Sequence, residues 1–324
     1  MFHFMKKQIY LKLHIITITK NNALQRIDNF LFQYFKTVPK NMIYRIIRKG
    51  KVRINKKRVK HNYKLQKNDI VRIPPVKIEK TRKNFFKKIS FHKFILYENK
   101  ELIVINKPTG MAVHGGSGLK YGIIEMLKFY YKKTNFLKLV HRLDRDTSGI
   151  LLIAKKNSIL RKLHDLMQKK EINKKYLALV KGKWSSKIKN ITIPLFKKRL
   201  ENGKRIVQIN QKYGKYSKTL FKVKENFSSF ATLVKAKLIT GRTHQIRVHA
   251  KYAGHPIAYD ALYGDKEFNL KLKNFGIDRL FLHAYSLSFQ YPNTNEIFSI
   301  TAPLDKHLSQ CLKKLRSNNN ELNV

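Results

Sequence analysis

Apolar positions near the start of the chain follow the period of an α-helix twice. The first set predicts a helix with one buried face and comprises Ile27, Phe30, Leu31 and Tyr34. The second set predicts another helix, which Gly50 ends, and comprises Met42, Ile43, Ile46 and Ile47. Beyond Gly50 the pattern becomes alternation, because Val52, Ile54 and Val59 flank a turn at residues 55–57 and predict a hairpin, while DIVRIPP predicts a closing strand. These elements predict one small module over residues 24–75.

From residue 93 onward the chain is richer in strand patterns. FILYENKELIVINKPTG predicts two strands joined by a turn at residues 98–100. Helices are predicted at about residues 122–132, at Ser158–Lys169 and from about Thr243. Further strands are predicted in LFLHAYSLSFQYP and at Ile150–Ala154, Tyr176–Val180, Thr219–Val223 and Phe230–Leu238.

The composition shifts predict the remaining boundaries. We assign residues 93–316 to a second domain, joined to the first by a basic linker at residues 76–92. An N-terminal extension covers residues 1–23, in which HIITIT predicts an edge strand, and a polar tail covers residues 317–324.

The charge balance changes the functional prediction. The chain of 324 residues has 70 Lys and Arg against 19 Asp and Glu, a net charge of +51. Such a surface favours a polyanionic partner, with nucleic acid first and an anionic membrane surface second. The chain is also rich in Lys, Asn, Ile, Phe and Tyr, as drift in an AT-rich genome would produce, so the sign of the charge is more informative than its size.

Cys311 is the single cysteine, which excludes an internal disulfide and a cysteine-based zinc site. Lysines interrupt the apolar residues of the first twenty positions, so these lack a signal-peptide core, and no stretch has the length of a membrane span. We expect a cytoplasmic protein without a membrane partner.

Basic residues cluster on the second helix and the hairpin of the N-terminal module. The cluster comprises Arg45, Arg48, Lys49, Lys51, Arg53, Lys56, Lys57 and Arg58. A merely solvated basic face would look similar, but the concentration on one helix-turn-hairpin unit favours contact with RNA.

The segment HRLDRDTSG, residues 141–149, is the strongest candidate for catalytic chemistry. It places Asp144 between Arg142 and Arg145, just before an apolar strand, and nearby opposite charge favours the ionised form of a carboxylate. Such a carboxylate suits a nucleophile or an electrostatic stabiliser, and a structural ion pair in a turn is the alternative. The residues TSG suit a tight turn that presents Asp144. Asp146 lacks further oxygen ligands nearby, so we expect no metal.

The segments KKYLALVKG and TGRTHQIRVH also combine polar residues with a strand or helix. In the second, Thr240 or Thr243 can cap a helix. One face of that helix would carry Arg242, Ile246 and His249, with Arg247 pointing elsewhere.

Two patterns imitate ligand sites. The glycine run lacks the phosphate-loop pattern and is assigned to a flexible turn on the substrate side; it comprises Gly115, Gly116 and Gly118. Three histidines lack partner cysteines or carboxylates at zinc-ligand spacing: His244, His249 and His255. We assign them either as histidines whose ring nitrogens are hydrogen-bonded within the protein or as residues that face RNA.

Two family resemblances extend this interpretation. RIDNFL, KNMIYRIIRKG and VRINKKRVK resemble an S4 (αL-type) RNA-binding domain, which implies binding of structured RNA. From about Gln25 onward, NKPTGMAVHGGSG, HRLDRDTSGILLIAKK, KYLALV, GRTHQIRVH, AGHPIAYDALYGD and RLFLHA resemble, in the same order, the RluA family of pseudouridine synthases. The resemblance implies an α+β fold: an S4 domain, then a catalytic domain with a mostly antiparallel mixed sheet flanked by helices.

The family's functional residues fall on four positions. Asp144 matches the catalytic aspartate, and Arg247 matches the basic residue paired with it. Tyr176 matches the tyrosine that packs against the flipped uracil and has been considered as a proton acceptor. Arg142 matches the arginine that fills the stack vacated by the target nucleotide.

The resemblance implies isomerisation of uridines in 23S ribosomal RNA of the large subunit or its assembly intermediate, by a monomer without cofactors. Asp144 could add to C1′ or promote proton loss at C2′, and the sequence leaves both routes open. Two alternatives remain: an RNA chaperone or assembly factor that keeps the second domain as a scaffold, and a hydrolase acting on another glycoside. The hydrolase lacks a second carboxylate placed as a general acid.

Overall fold

The computed structural model describes residues 8–321 except for 12, 36–37, 39, 80–90, 116–120, 132–133, 135, 202–204, 293 and 295. The chain divides into two compact units, Met1–Ile89 and Ser90–Val324. Each unit has its own sheet and its own apolar core.

The first unit combines two helices with short strands. The helices are α1 (Ile27–Tyr34) and α2 (Lys40–Arg48). The strands are β1 (Gln8–Leu11), β2 (His14–Thr17), β3 (Arg53–Ile54), β4 (Lys57–Arg58), β5 (Ile70–Ile73) and β6 (Val76–Glu79). Four of them form an antiparallel sheet in the order β2-β5-β3-β4, and β1 pairs with β6. Strand β2 confirms the edge strand predicted in HIITIT.

The core of this unit follows the predicted helical spacing. Ile27 and Leu31 of α1 and Ile43 of α2 are fully buried. Tyr34, which the pattern placed on the buried face, is instead 40% exposed, and its hydroxyl lies 2.8 Å from the His14 ring. Gly50 follows α2 with a φ of +65°, a conformation that favours glycine, and a Cβ there would lie 2.4 Å from the Arg58 side chain.

The second unit consists of one large sheet, a separate hairpin and five helices within the described residues. The helices are α3 (Ile123–Tyr130), α4 (Asn157–Gln168), α5 (Gln245–Tyr252), α6 (Lys266–Leu272) and α7 (Lys306–Glu321). The strands are β7 (Ile95–Glu98), β8 (Leu102–Lys107), β9 (Lys138–Leu139), β10 (Ser148–Ala154), β11 (Asn173–Lys181), β12 (Asn190–Thr192), β13 (Leu195–Arg199), β14 (Arg205–Ile209), β15 (Lys218–Phe227), β16 (Ala231–Leu238), β17 (Leu282–Gln290) and β18 (Ile297–Thr301).

The large sheet has the order β12-β15-β16-β11-β17-β10-β8-β7, with β18 on β17 and β9 on β10. Only the pair β10–β17 is parallel among the described strands; every other pairing is antiparallel. The fold is therefore α+β with a mostly antiparallel mixed sheet, as the resemblance implied. Strand β10 is buried along its whole length, which explains its unbroken apolar run.

Three predicted boundaries differ from the structure. Residues 76–79 of the expected linker form β6, because their extended segment pairs with β1; residues 80–90 lie outside the described part. The expected extension contributes β1 and β2 to the first unit. Helix α7 runs to Glu321 and so includes the first five residues of the predicted polar tail. Within the described residues no helix is long and apolar enough to span a membrane.

Candidate active site

One cleft in the second unit brings the three motif segments together. Its volume is about 210 Å³. Its lining includes the loop before β10, the side chains of Lys174 and Tyr176 on β11, and the segment that leads from β16 into α5. The sequence assigned the glycine run to the substrate side. Gly115 of that run does not line the cleft, and residues 116 and 118 lie outside the described part of the chain.

The register of three strands explains the meeting of the first two motifs. Ala284 of β17 pairs with Gly149 of β10 on one side and with Tyr176 of β11 on the other. Gly149 has a φ of +109°, and a Cβ there would lie 2.3 Å from the carbonyl oxygen of Ala284. Only glycine therefore permits the close parallel approach that ends the Asp144 loop.

The loop that carries Asp144 turns earlier than the sequence predicted. The Thr147 N–H donates to the carbonyl of Asp144 at 3.3 Å, so the turn spans residues 144–147, and Ser148 and Gly149 already belong to β10. This correction follows from the strand pairing of Ser148 and Gly149 with β17, which the local pattern of turn residues does not reveal.

A buried lysine fixes this loop from the neighbouring strand. The ammonium of Lys107 donates to the carbonyls of Pro108, Met111 and Arg145, each at 2.9 Å. Burial lowers the pKa of Lys107 to about 7, an effect that the nearby carboxylates oppose. Lys107 lies in FILYENKELIVINKPTG, which the sequence predicted only as two strands, so its role in positioning the loop was missed.

The basic side chains that face Asp144 come from α5 and its N-terminus. Its carboxylate Oδ2 lies 3.6 Å from Nη1 of Arg247 and 3.8 Å from Nε2 of His244. Arg145 turns away and pairs with Asp146 at 3.0 Å. Arg142 is exposed in the cleft lining and forms no ion pair within the described residues. Within the described residues, Arg247 is therefore the arginine that pairs with Asp144.

A second carboxylate anchors Arg247. Its Nε and Nη2 donate to Oδ2 and Oδ1 of Asp260, both at 2.7 Å. Burial acts to raise the pKa of Asp260, but the Arg247 hydrogen bonds and charge outweigh it and hold that pKa below the usual range. Asp260 was missed in the sequence, although AGHPIAYDALYGD contained it, because its partner is defined only by the fold.

Residues 245–250 of helix α5 are all buried, although Lys251 and Tyr252 at its end are exposed, and this burial changes the predicted faces. Ile246, Arg247 and His249 are all buried, so Arg247 faces the cleft instead of pointing away. The predicted threonine cap is wrong: His244 is the N-cap, and the Thr240 hydroxyl donates to the Gln245 side chain at 2.8 Å. Gln245 in turn accepts from a backbone N–H at this helix end, that of Arg242.

His244 lies between Asp144 and Tyr263. Its Nδ1 lies 2.8 Å from the Tyr263 hydroxyl. The oxygen of that hydroxyl accepts a second hydrogen bond, from the N–H of Val207 on the β13–β14 hairpin, at 2.8 Å. The backbone of His244 has a φ of +53°, in the left-handed region that few residues other than glycine adopt. The sequence predicted His244 only as a satisfied or RNA-facing residue.

The tyrosine from the second motif forms a buried wall of the cleft. Tyr176 is 6% exposed, and burial together with the charge of Asp144 raises the pKa of its hydroxyl. Lys174, two residues earlier on the same strand face, also lines the cleft, and burial lowers its pKa. No pattern in the sequence distinguished Lys174 from the other lysines.

Three other histidines have local structural roles. The ring of His141 accepts from the Leu152 N–H at 3.2 Å, and burial lowers its pKa to about 3. His249 contacts Ser217, and His255 contacts the carbonyl of Lys181. The described part of the chain holds no group of three or more residues that could ligate a metal.

The basic cluster of the first unit is open to solvent. All eight predicted residues are exposed, and none forms an ion pair within the described residues. They lie on α2, β3 and β4 and the connections between them. The chain thus has a cationic surface in one unit and a cleft with a carboxylate in the other.

Comparison with known proteins finds the same two parts. The model of the RNA pseudouridylate synthase family matches residues 101–252, and the S4 domain model matches residues 25–71. The chain is 53% identical over 310 residues to ribosomal large subunit pseudouridine synthase C of Escherichia coli (strain K12), covering 94% of this chain and 97% of that protein. The protein of the same name from Haemophilus ducreyi is 52% identical over 319 residues, covering 96% and 98%.

A solved structure extends the likeness to the fold. Human RNA pseudouridylate synthase domain containing 4 superposes with a TM-score of 0.59 at 25% identity, covering 72% of this chain and 96% of that chain.

Proposed function

This chain belongs to the RNA pseudouridylate synthase family, and we propose that it converts uridines of large-subunit (23S) ribosomal RNA to pseudouridine, with Asp144 as the reacting carboxylate. The observation that supports this proposal is that one cleft brings together Asp144, Arg247 and Tyr176 from three separate segments. The target RNA follows from the names of the two bacterial relatives.

The reaction needs few protein groups because it is an isomerisation. The bond between N1 of uracil and C1′ breaks, the base turns within the cleft, and C5 forms a new bond to the same C1′. C5 then loses its proton and N1 gains one, so atoms and electrons balance without a redox partner. A cofactor is not part of this scheme.

Asp144 supplies the negative charge at the sugar. Its carboxylate either adds to C1′ or promotes loss of the C2′ proton, and both routes start from the ionised form. Arg247 lies 3.6 Å away and faces this carboxylate, while Asp260 holds the guanidinium in place. The bidentate contact leaves Nη1 of Arg247 available to Asp144.

Tyr176 is assigned to the base. Its ring forms a wall for the flipped uracil, and its raised pKa keeps the hydroxyl protonated at neutral pH. The hydroxyl therefore serves as a neutral relay and not as a preformed phenolate. It accepts the C5 proton and at the same time gives up its own proton, which balances the proton that N1 gains. Leu143, Leu238 and Leu282 of the lining, together with the Tyr176 ring, also retain the detached base.

RNA contact is divided between the two units. Flipping the target nucleotide costs about a few kcal/mol, which new contacts must offset. Arg142, exposed at the cleft, is assigned to the vacated stack. The basic cluster of the first unit supplies phosphate contacts that are independent of sequence. We place the enzyme in the cytoplasm, where it acts as a monomer.

Release of the C5 hydrogen gives a direct test of this function. Large-subunit ribosomal RNA transcribed with uridine tritiated at C5 is incubated with the purified full chain, and tritium in water is counted. Wild-type protein should release tritium and Asp144→Asn should not, although both bind the RNA. Release by the Asn variant at the wild-type rate would refute the role of Asp144.

A further inference from the structure

We propose that His244 is a positioning residue for Asp144: Tyr263 fixes its neutral ring in the tautomer that carries the proton on Nε2, and this N–H faces the carboxylate. The inference deepens the proposed function and rests on it for its catalytic consequence. Its structural part can be tested without any RNA.

The hydrogen bonds around Tyr263 determine the tautomer. The Val207 N–H can only donate, so the Tyr263 oxygen accepts that bond at 2.8 Å. Within the described residues, the His244 Nδ1 is the one acceptor for the Tyr263 O–H, also at 2.8 Å. When Nδ1 of a neutral ring accepts this hydrogen bond, the single ring proton is on Nε2.

The surroundings favour the neutral ring. Only 15% of the His244 side chain is exposed, and burial lowers its pKa below the usual value. The charges that face it partly cancel: Asp144 and Asp260 favour protonation, whereas Arg142 and Arg247 oppose it.

The backbone conformation of His244 also indicates that surrounding contacts determine the orientation of its ring. A φ of +53° is unfavourable for a histidine and persists where surrounding contacts determine it. Here the His244 and Tyr263 rings meet edge to face, with centroids 5.5 Å apart. This conformation places the ring between Tyr263 and the cleft.

Two donors converge on one oxygen of Asp144. Nε2 of His244 and Nη1 of Arg247 lie 3.8 Å and 3.6 Å from Oδ2. Both distances exceed a hydrogen bond, so the contacts are electrostatic until the bound RNA tightens the site. Together they orient the carboxylate with Oδ1 free to face the ribose.

Nitrogen NMR reads the tautomer directly. In the full chain labelled with ¹⁵N-histidine, the His244 signals are assigned by their loss in His244→Asn. We expect an unprotonated Nδ1 and a protonated Nε2 at neutral pH. Tyr263→Phe removes the donor to Nδ1 and should shift His244 towards a mixture of tautomers, while Tyr213→Phe, at an exposed tyrosine, should leave the spectrum unchanged.

Kinetics test the consequence for catalysis. Asparagine tolerates the left-handed backbone, and its short amide reaches the position of Nδ1 but not that of Nε2. His244→Asn should therefore fold and keep its KM for RNA, while its kcat falls by about tenfold to a hundredfold because Asp144 is misoriented. Tyr263→Phe should show a smaller loss of kcat, and Tyr213→Phe none.

The outcomes separate this inference from the proposed function. A protonated Nδ1 in the wild-type protein, or His244→Asn with the wild-type kcat, would overturn the role of His244. If wild-type protein releases no tritium from the RNA, the proposed function fails, even with the expected tautomer in the spectrum.

Discussion

Asp260 holds Arg247 through both of its carboxylate oxygens, each 2.7 Å from a guanidinium nitrogen, and the Asp260 side chain is 0% exposed. Its Oδ1 also accepts from the N–H groups of Leu262 and Tyr263. One residue outside the three motifs thus connects the cation beside Asp144 to the turn that carries Tyr263. This arrangement makes Asp260 important both for stability and for the geometry of the site.

Removing the charge of Asp260 should strongly destabilise the second unit. Asp260→Asn leaves Arg247 buried without its anion, which costs about 3–5 kcal/mol of unfolding free energy. Trp184, the single tryptophan, is buried in this unit, so its fluorescence during urea unfolding reports on this unit alone.

A matched control is Asp265→Asn. Asp265 pairs with Lys181 at 2.7 Å, but both side chains are partly exposed. Its loss should cost about 0–1 kcal/mol, because solvent screens such a pair and asparagine still caps α6. Equal losses for the two variants would contradict the structural role of Asp260.

The same ion pair predicts a pH dependence. The pKa of Asp260 is lower in the folded chain than its unfolded value of about 3.9, so the unfolded state binds more protons in acid. The stabilisation is complete above the unfolded pKa and is lost as the pH falls through the folded pKa. The unfolding free energy of the wild-type protein should therefore fall more steeply below about pH 4 than that of Asp260→Asn. Parallel pH profiles would contradict this expectation.

Tyr176→Phe should separate the ring of Tyr176 from its hydroxyl. The phenylalanine keeps the wall of the cleft, so RNA affinity and stability should change little. The kcat should fall by about a hundredfold or more, because the relay for the C5 proton is lost. Since burial and Asp144 raise the pKa of the hydroxyl, the wild-type kcat should not rise as the pH approaches about 10. A wild-type rate in Tyr176→Phe would exclude the relay.

The basic cluster of the first unit should determine how binding depends on salt. Lys49, Lys51 and Lys57 are exposed. Replacing all three by alanine should weaken RNA binding and reduce the slope of log affinity against log salt by roughly one per phosphate contact. The matching triple arginine variant keeps the charge and should keep the slope. An unchanged slope in the alanine variant would place RNA elsewhere.

Local patterns predicted the elements better than their contacts. The spacing of Ile27 and Leu31 predicted α1, and the unbroken apolar run at Ile150–Ala154 predicted most of β10, because burial on one or both faces leaves a periodic signature. The order of strands in the large sheet leaves no comparable signature. The parallel contact of β10 with β17, which shapes the Asp144 loop, therefore required the structure.

The site residues divide in the same way. The motifs located Asp144, Tyr176 and Arg247, and the structure places all three in one cleft. Of the two arginines that flank Asp144 in the sequence, Arg145 pairs with its neighbour Asp146. Asp260 could not be identified, since nothing local distinguishes an aspartate whose partner is a buried arginine on another element.

Asp144 is proposed to isomerise uridines of 23S ribosomal RNA, and carbodiimide mapping of pseudouridines detects the product of that reaction at each position. The RNA is taken from cells that lack this protein and from the same cells supplied with the wild-type chain or with Asp144→Asn. Pseudouridines at specific positions should appear only with the wild-type chain. Their restoration by Asp144→Asn, or an identical map with and without the wild-type chain, would contradict the claim.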